Sequence, residues 1–273
     1  MSMYDGILER AARVIASADA LLIGAGAGMG VDSGLPDFRG VNGFWKDYPP
    51  FRGKQYKEIA TPHLMRSDPE LAWGFYSHCM QLFRNTQPHQ GFSMLKKWAE
   101  TIVPEHFIFT SNIDEHFQRS GFADEKIFEC HGSTYFLQCE RGLECGTDLW
   151  PVRKIVKVSE ETLRATGTLP RCRNCASLAR PNTLMFGDYA WVPMRSVEQE
   201  KRLNAWQESL KGANIVAIEF GAGPTVPTVR YECSKRSQKL IRVNPTDYIA
   251  SPDSISVPMG ALEAIKEIDK RLH

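Results

Sequence analysis

The sequence predicts an α/β fold in which a parallel sheet is covered by helices on both faces and a small insert interrupts the chain. Short apolar runs alternate with amphipathic helical segments, which is typical of strands buried on both faces by crossover helices. The region from about 133 to 180 breaks this rhythm, because it is polar and holds four paired cysteines. A chain of 273 residues suits one large domain, or a main domain with a smaller insert.

Apolar periodicity places the elements along the chain. The predicted helices cover 5–17, 61–84, 91–100, a stretch after 114, 196–211 and 261–272. The predicted strands cover 21–23, 106–110, 126–130, 182–186, 214–220 and 239–244. Residues 40–62 are rich in glycine, proline and aromatic side chains, so we expect a long loop of the kind that folds over a site.

The composition narrows the possible partners. The chain is 42% hydrophobic and 24% charged, as is usual for a soluble globular protein, and its net charge is +1. This balance gives no electrostatic case for binding nucleic acid or an anionic membrane, and no apolar run is long enough for a membrane span. The opening residues are too charged for a signal peptide, so we expect a cytoplasmic protein. Seven cysteines, an odd number, argue against a disulfide framework.

The stretch 21–39 begins as a buried strand and breaks into glycines. Gly24, Gly26 and Gly28 have the spacing of a dinucleotide-binding turn, in which exposed backbone N–H groups meet a pyrophosphate. The same spacing is common in ordinary turns from strand to loop, so by itself it is weak evidence. The segment Pro-Asp-Phe-Arg at 36–39 adds weight, because a phosphate turn does not need it.

Polar residues follow each of the predicted strands. They are 36–39 (PDFR), 111–114 (SNID), His131 with Gly132, Gly187 with Asp188, 221–223 (GAG) and Asn244. Ligands of open parallel sheets bind beyond the carboxyl ends of the strands, so this placement predicts one shared crevice.

Taken in order, these motifs resemble the sirtuins, a family of NAD-dependent protein lysine deacylases, over about residues 20 to 265. The resemblance implies a Rossmann-like NAD-binding domain at 1–39, 86–132 and 182–273, a helical cofactor-loop module at 40–85 and a small zinc-binding module at 133–181. It also sets the phosphate turn at Gly26-Ala27-Gly28. The residues that it implies for NAD binding are Gly26, Ala27, Gly28, Asp37, Phe38, Arg39, Ser111, Asn112, Asp114, His131, Gly221, Ala222, Gly223, Asn244, Gly260 and Ala261.

The resemblance also assigns the chemistry. His131 would be the general base toward a ribose hydroxyl, since a neutral imidazole can accept a proton near pH 7. Asn112 and Asp114 would hold the nicotinamide carboxamide and a water near its ribose. The products would be nicotinamide, O-acyl-ADP-ribose and free lysine, with an acylated-lysine protein as substrate. Without the resemblance, helix caps and a structural histidine are the simpler interpretations.

The acyl-lysine needs an apolar channel. Phe38 and the segment Met185, Phe186 and Gly187 are the candidate substrate residues. For Met185 and Phe186, ordinary core packing is an equally good interpretation.

Cys139, Cys145, Cys172 and Cys175 suggest a closed, structural zinc site with four thiolate ligands. The first pair is separated by five residues, more than the two usual in sirtuins, so it stays open whether both Cys139 and Cys145 join the site. The alternative is a metal-free loop with incidental thiols.

Three departures from the sirtuin pattern bear on activity. Ser111 stands where the family usually has glutamine, and its shorter side chain would weaken or alter a contact to the nicotinamide ribose. The turn EFGAGPTVPTVR at 219–230 looks more like a bacterial branch associated with protein ADP-ribosylation, although that branch tends to lose the histidine retained here as His131. Cys79 stands three residues after Tyr76, where sirtuins that prefer acidic acyl groups carry arginine, so we expect simple or aliphatic acyl groups.

The sequence thus predicts an NAD-dependent protein lysine deacylase. A mono-ADP-ribosyltransferase using the same site is the alternative. A non-catalytic NAD or ADP-ribose sensor, and NAD hydrolysis without an acceptor, are further possibilities.

Overall fold

A computed structural model describes residues 4–36, 51 and 54–273. Its helices are α1 (Asp5–Ala16), α2 (Tyr56–Ile59), α3 (Pro62–Ser67), α4 (Pro69–Asn85), α5 (Gln90–Thr101), α6 (His116–Arg119), α7 (Met194–Ser209), α8 (Thr228–Arg236) and α9 (Ala261–Leu272). Its strands are β1 (Ala20–Ala25), β2 (His106–Thr110), β3 (Ile127–Glu129), β4 (Gly132–Cys139), β5 (Trp150–Pro151), β6 (Lys157–Val158), β7 (Ala165–Thr166), β8 (Ala179–Thr183), β9 (Ile215–Phe220), β10 (Lys239–Val243) and β11 (Ile255–Val257). A 3₁₀ helix covers Ala27–Ser33.

The main sheet has six parallel strands in the order β3-β2-β1-β9-β10-β11. This is the Rossmann order, in which the strand succession reverses beside β1. Leu21, Ile23 and Ala25 pack with α1, α5 and α9 on one face, whereas Ala20 and Leu22 pack with α7 and α8 on the other. The prediction of a parallel sheet with helices on both faces is confirmed.

The described chain forms two compact units. Unit 1 combines Met1–Gly34, Gln87–Cys130 and Ser196–His273, and it contains the six-stranded sheet. Unit 2 combines Leu35–Thr86 and His131–Arg195. It holds a three-stranded sheet, β5-β4-β8, together with the β6–β7 hairpin and helices α2 to α4. The three modules implied by the resemblance stay a prediction, and in the structure 182–195 groups with unit 2.

The strand predicted at 182–186 lies elsewhere than expected. The observed strand, β8, ends at Thr183 and pairs antiparallel with β4 in unit 2. Gly187 and Asp188 therefore do not follow a strand of the parallel sheet. The apolar triplet at 184–186 suggests a strand, but Gly187 adopts a φ of +65° and turns the chain directly after it.

Other differences from prediction are local. The helix predicted at 61–84 is two helices, since Asp68 accepts a hydrogen bond from Leu71 N (3.2 Å) and caps a new helix that begins at Pro69. Helix α8 and strand β11 were not predicted. Of the helices in the described ranges, none has the length and apolar character needed to cross a membrane.

Candidate active site

The loops that follow β1 and β9 interlock at the point where the strand order reverses. Gly26 N donates to Phe220 O (2.9 Å), and Gly28 N donates to Gly221 O (3.1 Å). A Cβ at Gly26 would lie 2.7 Å from Gly221 O, and one at Gly28 would lie 2.6 Å from Gly221 Cα. Gly221 has a φ of +58°, and a Cβ there would lie 2.3 Å from Gly28 Cα. Only glycine permits this approach of two backbones.

The glycines at 26 and 28 therefore have a structural cause besides the predicted phosphate binding. Their amides are engaged with carbonyls of the neighbouring loop. Ala27 and Gly28 stay partly exposed, at the start of the Ala27–Ser33 helix. Glycine backbone held in this way fits the close approach of a dinucleotide.

The segment after β2 is tied to the same loop. Thr110 Oγ1 donates to Ala25 O (3.1 Å) and accepts from Asn112 N (3.0 Å). Asn112 Nδ2 donates to Gly26 O (3.0 Å), and Ser111 N donates to Ala25 O (3.1 Å). The Asn112 side chain is thus fixed in direction, with its amide nitrogen used by the protein.

Asp114 is buried and accepts from His116 N through Oδ1 (2.9 Å). It closes the turn into α6, which is a structural role close to the helix cap expected for such a residue without the resemblance. Glu115, between them, adopts the left-handed region at a φ of +57°. Asp114 therefore sits at the carboxyl edge of the sheet in a turn that carries backbone strain.

The remaining predicted cofactor residues of unit 1 follow β9, β10 and β11. Asn244 is buried, donates through Nδ2 to Ala222 O (3.2 Å) and accepts at Oδ1 from Thr246 N (3.0 Å) and Asp247 N (2.9 Å). The Asn244 side chain, a predicted NAD contact, therefore also braces the loop after β9. Gly260 precedes α9, whose Leu262 N donates to a carboxylate oxygen of Asp32 (2.8 Å).

Unit 1 thus places most of the predicted cofactor residues at the carboxyl edge of one sheet. Those it brings there are Gly26, Ala27, Gly28, Ser111, Asn112, Asp114, Gly221, Ala222, Gly223, Asn244, Gly260 and Ala261. Asp37, Phe38 and Arg39 lie outside the described residues.

His131 is the first residue of the second segment of unit 2 and lies directly before β4. Its carbonyl accepts from Leu184 N (2.9 Å), which anchors the backbone of the predicted base to the end of β8. Gly132 has a φ of +75°, and a Cβ there would lie 2.1 Å from Asn182 O. The glycine of the His-Gly pair is therefore required by strand packing.

The predicted substrate segment follows β8 directly. Met185 is buried, whereas Phe186 is 39% exposed and packs edge-on against Tyr56, with ring centroids 5.9 Å apart. Phe186 N donates to Ala60 O (2.9 Å). Core packing thus accounts for Met185, and Phe186 presents part of its ring at the surface.

All four paired cysteines meet in unit 2. The four sulfurs lie within 4.8 Å of one another, with 3.6 Å between Cys139 and Cys175 and 3.7 Å between Cys145 and Cys172. Four thiolates at about 2.3 Å from a tetrahedral ion lie about 3.8 Å apart, so the set fits structural zinc. Hydrogen bonds with Ser177 lower the pKa of the Cys175 thiol to about 6, whereas burial raises the pKa of the Cys139 thiol in the same cluster. The longer first spacing does not displace Cys139 or Cys145.

Sequence reasoning missed the buried polar network around β8. Arg180 is 1% exposed and pairs with Asp188, with Nη2 2.7 Å from Oδ2. Asn182 Nδ2 donates to Gln138 Oε1 (2.9 Å), and Gln138 Nε2 donates to Ala190 O (2.7 Å). The available signal was the run of polar residues at 180–183, which an apolar-periodicity search passes over.

Comparison with known proteins decides the family. The Sir2 family model matches residues 26–205, more than half of the chain. The chain belongs to the Sir2 family. An NAD-dependent protein deacylase of Archaeoglobus fulgidus is 30% identical over 249 residues, covering 89% of each chain. One of Thermococcus kodakarensis is 29% identical over 242 residues, covering 87% of this chain and 84% of the relative.

Solved Sir2 structures share the fold. A Sir2 homologue crystallised as an NAD complex superposes with a TM-score of 0.73 at 23% identity, covering 97% of this chain and 93% of the other. A Sir2 homologue with ADP-ribose gives a TM-score of 0.72 at 24% identity, with coverage of 96% and 95%. At this identity the likeness supports the Sir2 fold.

Proposed function

We propose that the protein is an NAD-dependent protein lysine deacylase that forms nicotinamide, O-acyl-ADP-ribose and free lysine. The observation that carries this is membership of the Sir2 family, whose relatives over most of the chain are named NAD-dependent protein deacylases. The retained His131, Asn112 and Asp114 support it. The interlocked glycine loops after β1 and β9 fit the cofactor, because their close backbone packing leaves no room for a Cβ at Gly26, Gly28 or Gly221.

NAD would supply a glycosidic bond whose cleavage frees nicotinamide. The protein's own part is to bind, orient and move protons. Asn112, its Nδ2 held by Gly26 O, would present its Oδ1 to the carboxamide, and Asp114 would hold a water near the ribose. His131 would take a proton from a ribose hydroxyl. Phe186 and neighbouring groups would line the path of the acyl-lysine.

The test is product analysis. The protein, NAD and an acetylated peptide should give O-acetyl-ADP-ribose and deacetylated peptide by mass spectrometry. His131→Ala should lower the rate by at least about 100-fold, the usual contribution of a general base. His63→Ala, at an exposed histidine in the same unit, is the matched control and should not change it. Wild-type rates for His131→Ala would refute the assignment of the base.

Mono-ADP-ribosyltransfer is the second candidate, favoured by Ser111 and by the Gly221–Gly223 turn of the 219–230 segment. In the same incubation it would add an ADP-ribose mass to a protein acceptor. Such an adduct without O-acetyl-ADP-ribose would replace the deacylase proposal.

Cys79 is buried within α4, and the buried cation of Arg180 is already paired with Asp188. Position 79 therefore supplies no arginine to pair with the carboxylate of an acidic acyl group. We expect acetyl-peptides and aliphatic acyl-peptides to be cleaved faster than a succinyl-peptide, measured in one panel. Faster cleavage of the succinyl-peptide would contradict this preference.

The four-cysteine cluster is proposed to bind one structural zinc. Metal analysis of pure protein should give one zinc per chain, and Cys175→Ser should lose it. Folded protein without zinc, unaffected by a chelator, would contradict the proposal. None of the seven cysteines, which all lie in the described part of the chain, forms a disulfide, and this supports a reducing compartment such as the cytoplasm.

A further inference from the structure

The turn at 184–188 in unit 2, called here the substrate turn, is closed by one carboxylate. Asp188 Oδ2 accepts from Met185 N (3.3 Å), and Oδ1 accepts from Ala190 N (3.1 Å). Gly187, with its φ of +65°, allows the chain to double back so that Asp188 reaches Met185. The Asp188 side chain is completely buried.

Arg180 holds that carboxylate from β8. Its Nη2 lies 2.9 Å from Oδ1 and 2.7 Å from Oδ2 of Asp188, so one nitrogen bridges both oxygens. Nε and Nη1 of Arg180 are buried and make no hydrogen bond to any residue that the structure describes. Within that part of the chain, the buried cation depends on Asp188 alone for compensation.

The substrate turn is also connected to the predicted base. Leu184 N donates to His131 O, and Phe186 N donates to Ala60 O, both at 2.9 Å. With Met185 N bound to Asp188, each of the amides at 184–186 has a partner in unit 2. A shift of Asp188 would therefore reach the backbone of His131 through two hydrogen bonds, from Met185 N to Asp188 and from Leu184 N to His131 O.

A second group of buried side chains fixes the chain beyond the turn. Gln138 accepts at Oε1 from Val192 N (3.0 Å) and donates to Ala190 O, while Asn182 Nδ2 donates to Val192 O (2.9 Å). Because Gln138 and Asn182 hold 190–192 as well, losing the Arg180–Asp188 ion pair should loosen the substrate turn without releasing the whole segment.

We propose that Asp188, held by Arg180, is a positioning residue that sets the substrate turn for binding of the acyl-lysine peptide. This rests on the proposed deacylase function. A buried ion pair is weak evidence for added stability, since burying its charges costs about as much as their attraction returns. Its value here is geometric, because a carboxylate bound by both Arg180 and two backbone amides has one permitted position.

The test separates the peptide from the cofactor. Asp188→Asn and Arg180→Met should each raise the KM for acetyl-peptide by about 10-fold or more, as small displacements of positioning groups do, while the KM for NAD stays within about 2-fold. Arg180→Lys should largely restore the peptide KM, because only one nitrogen of Arg180 contacts Asp188. Hydrogen exchange at 184–186 should accelerate in the first two variants and not in the third.

Arg164→Met is the matched control. Arg164 also forms an ion pair in unit 2, with Asp68, which caps α4, and none of its described hydrogen bonds or ion pairs reaches the substrate turn. Its peptide KM should stay at the wild-type value. An equal rise in the control, or unchanged KM and unchanged exchange in Asp188→Asn, would overturn the proposal. Wild-type protein that deacylates no peptide would refute the function instead, and accelerated exchange at 184–186 would then still test the turn.

Discussion

In unit 1 the loops after β1 and β9 are fitted together by bare backbone, whereas in unit 2 the substrate turn is held by buried side chains. Gly26 and Gly28 meet Gly221 at distances that exclude a Cβ. Around the substrate turn, Arg180 and Gln138 carry the contacts instead. Added side-chain atoms should disrupt the packing of the glycine loops in unit 1, whereas removing polar side-chain atoms should disrupt the hydrogen bonds around the substrate turn in unit 2.

This difference suits the two predicted ligands. A pyrophosphate needs close backbone approach, which glycine provides at the switch point of a parallel sheet. A peptide side chain needs a binding surface with a fixed shape, and a buried hydrogen-bonded network beneath that surface can provide it. The two constructions also predict different responses to mutation, and four changes test them in order of expected effect.

Gly221→Ala should be the most damaging. The new Cβ would clash with Gly28 backbone, and alanine would have to adopt a φ of +58°. Overpacking and left-handed strain together should cost about 3 to 5 kcal/mol of unfolding free energy, measured by urea denaturation. Gly223→Ala, where nothing lies within 4 Å, is the control. A similar loss in both variants would refute interlocking as the cause.

Gln138→Leu tests the side-chain construction in unit 2. Removing the amide strips a partner from Val192 N and from Ala190 O, both held by Gln138. Leaving buried polar groups unpaired should cost about 2 to 3 kcal/mol. Hydrogen exchange should accelerate at 190–192. Unchanged exchange there would mean that the network does not hold this segment.

The sheet of unit 1 was predictable because strands buried on both faces are continuously apolar, as in β1 and β9. The cysteine cluster was predictable because two cysteine pairs in a polar insert are a typical ligand set for structural zinc. Strand β8 was not, since Arg180, Asn182 and Thr183 are buried polar residues and the apolar triplet at 184–186 displaces the expected strand.

The spacing of the interlocked glycines makes them recognisable in the sequence, but it explains only part of their role. Their spacing indicates a turn, but the backbone contact between Gly28 and Gly221 joins residues far apart in the chain. The pairing of Asp188 with Arg180 is likewise invisible to local patterns. Helix α8 was missed because its sequence, TVRYECSKR, is polar and follows two prolines at 224 and 227.

The third prediction concerns a side-chain clamp inside unit 1. His89 accepts from Gly91 N at Nδ1 (3.0 Å) and contacts Met29 O through Nε2 (2.9 Å), which requires the neutral ring. Burial lowers the pKa of His89 below its ordinary value of 6.5. Below pH 6.5 the unfolded chain therefore binds more protons than the folded chain. The contribution of His89 to the free energy of unfolding should be fully present above pH 6.5 and should fall as the pH drops below it.

Urea denaturation at pH 7.5 and 5.5 measures this effect. His89→Asn keeps an N-cap acceptor for α5 without a titrating ring, and it should reduce the loss of unfolding free energy between the two pH values. His106, whose pKa burial also lowers, should account for part of the remaining slope. An identical slope in wild type and His89→Asn would show that the clamp is not what titrates.

The smallest effect is expected at Glu115, a residue of unit 1 that adopts the left-handed conformation without being glycine. Glu115 has a φ of +57° between Asp114 and α6, a conformation that costs an L-residue about 1 to 2 kcal/mol. Glycine would remove that cost but lose about 0.5 to 1 kcal/mol through unfolded-state entropy, so Glu115→Gly should stabilise unit 1 by about 0.5 to 1 kcal/mol. Glu125→Gly, in the exposed turn before β3, should destabilise instead. If both substitutions destabilise equally, the turn at Glu115 carries no strain, and the backbone construction of unit 1 is confined to the glycine loops.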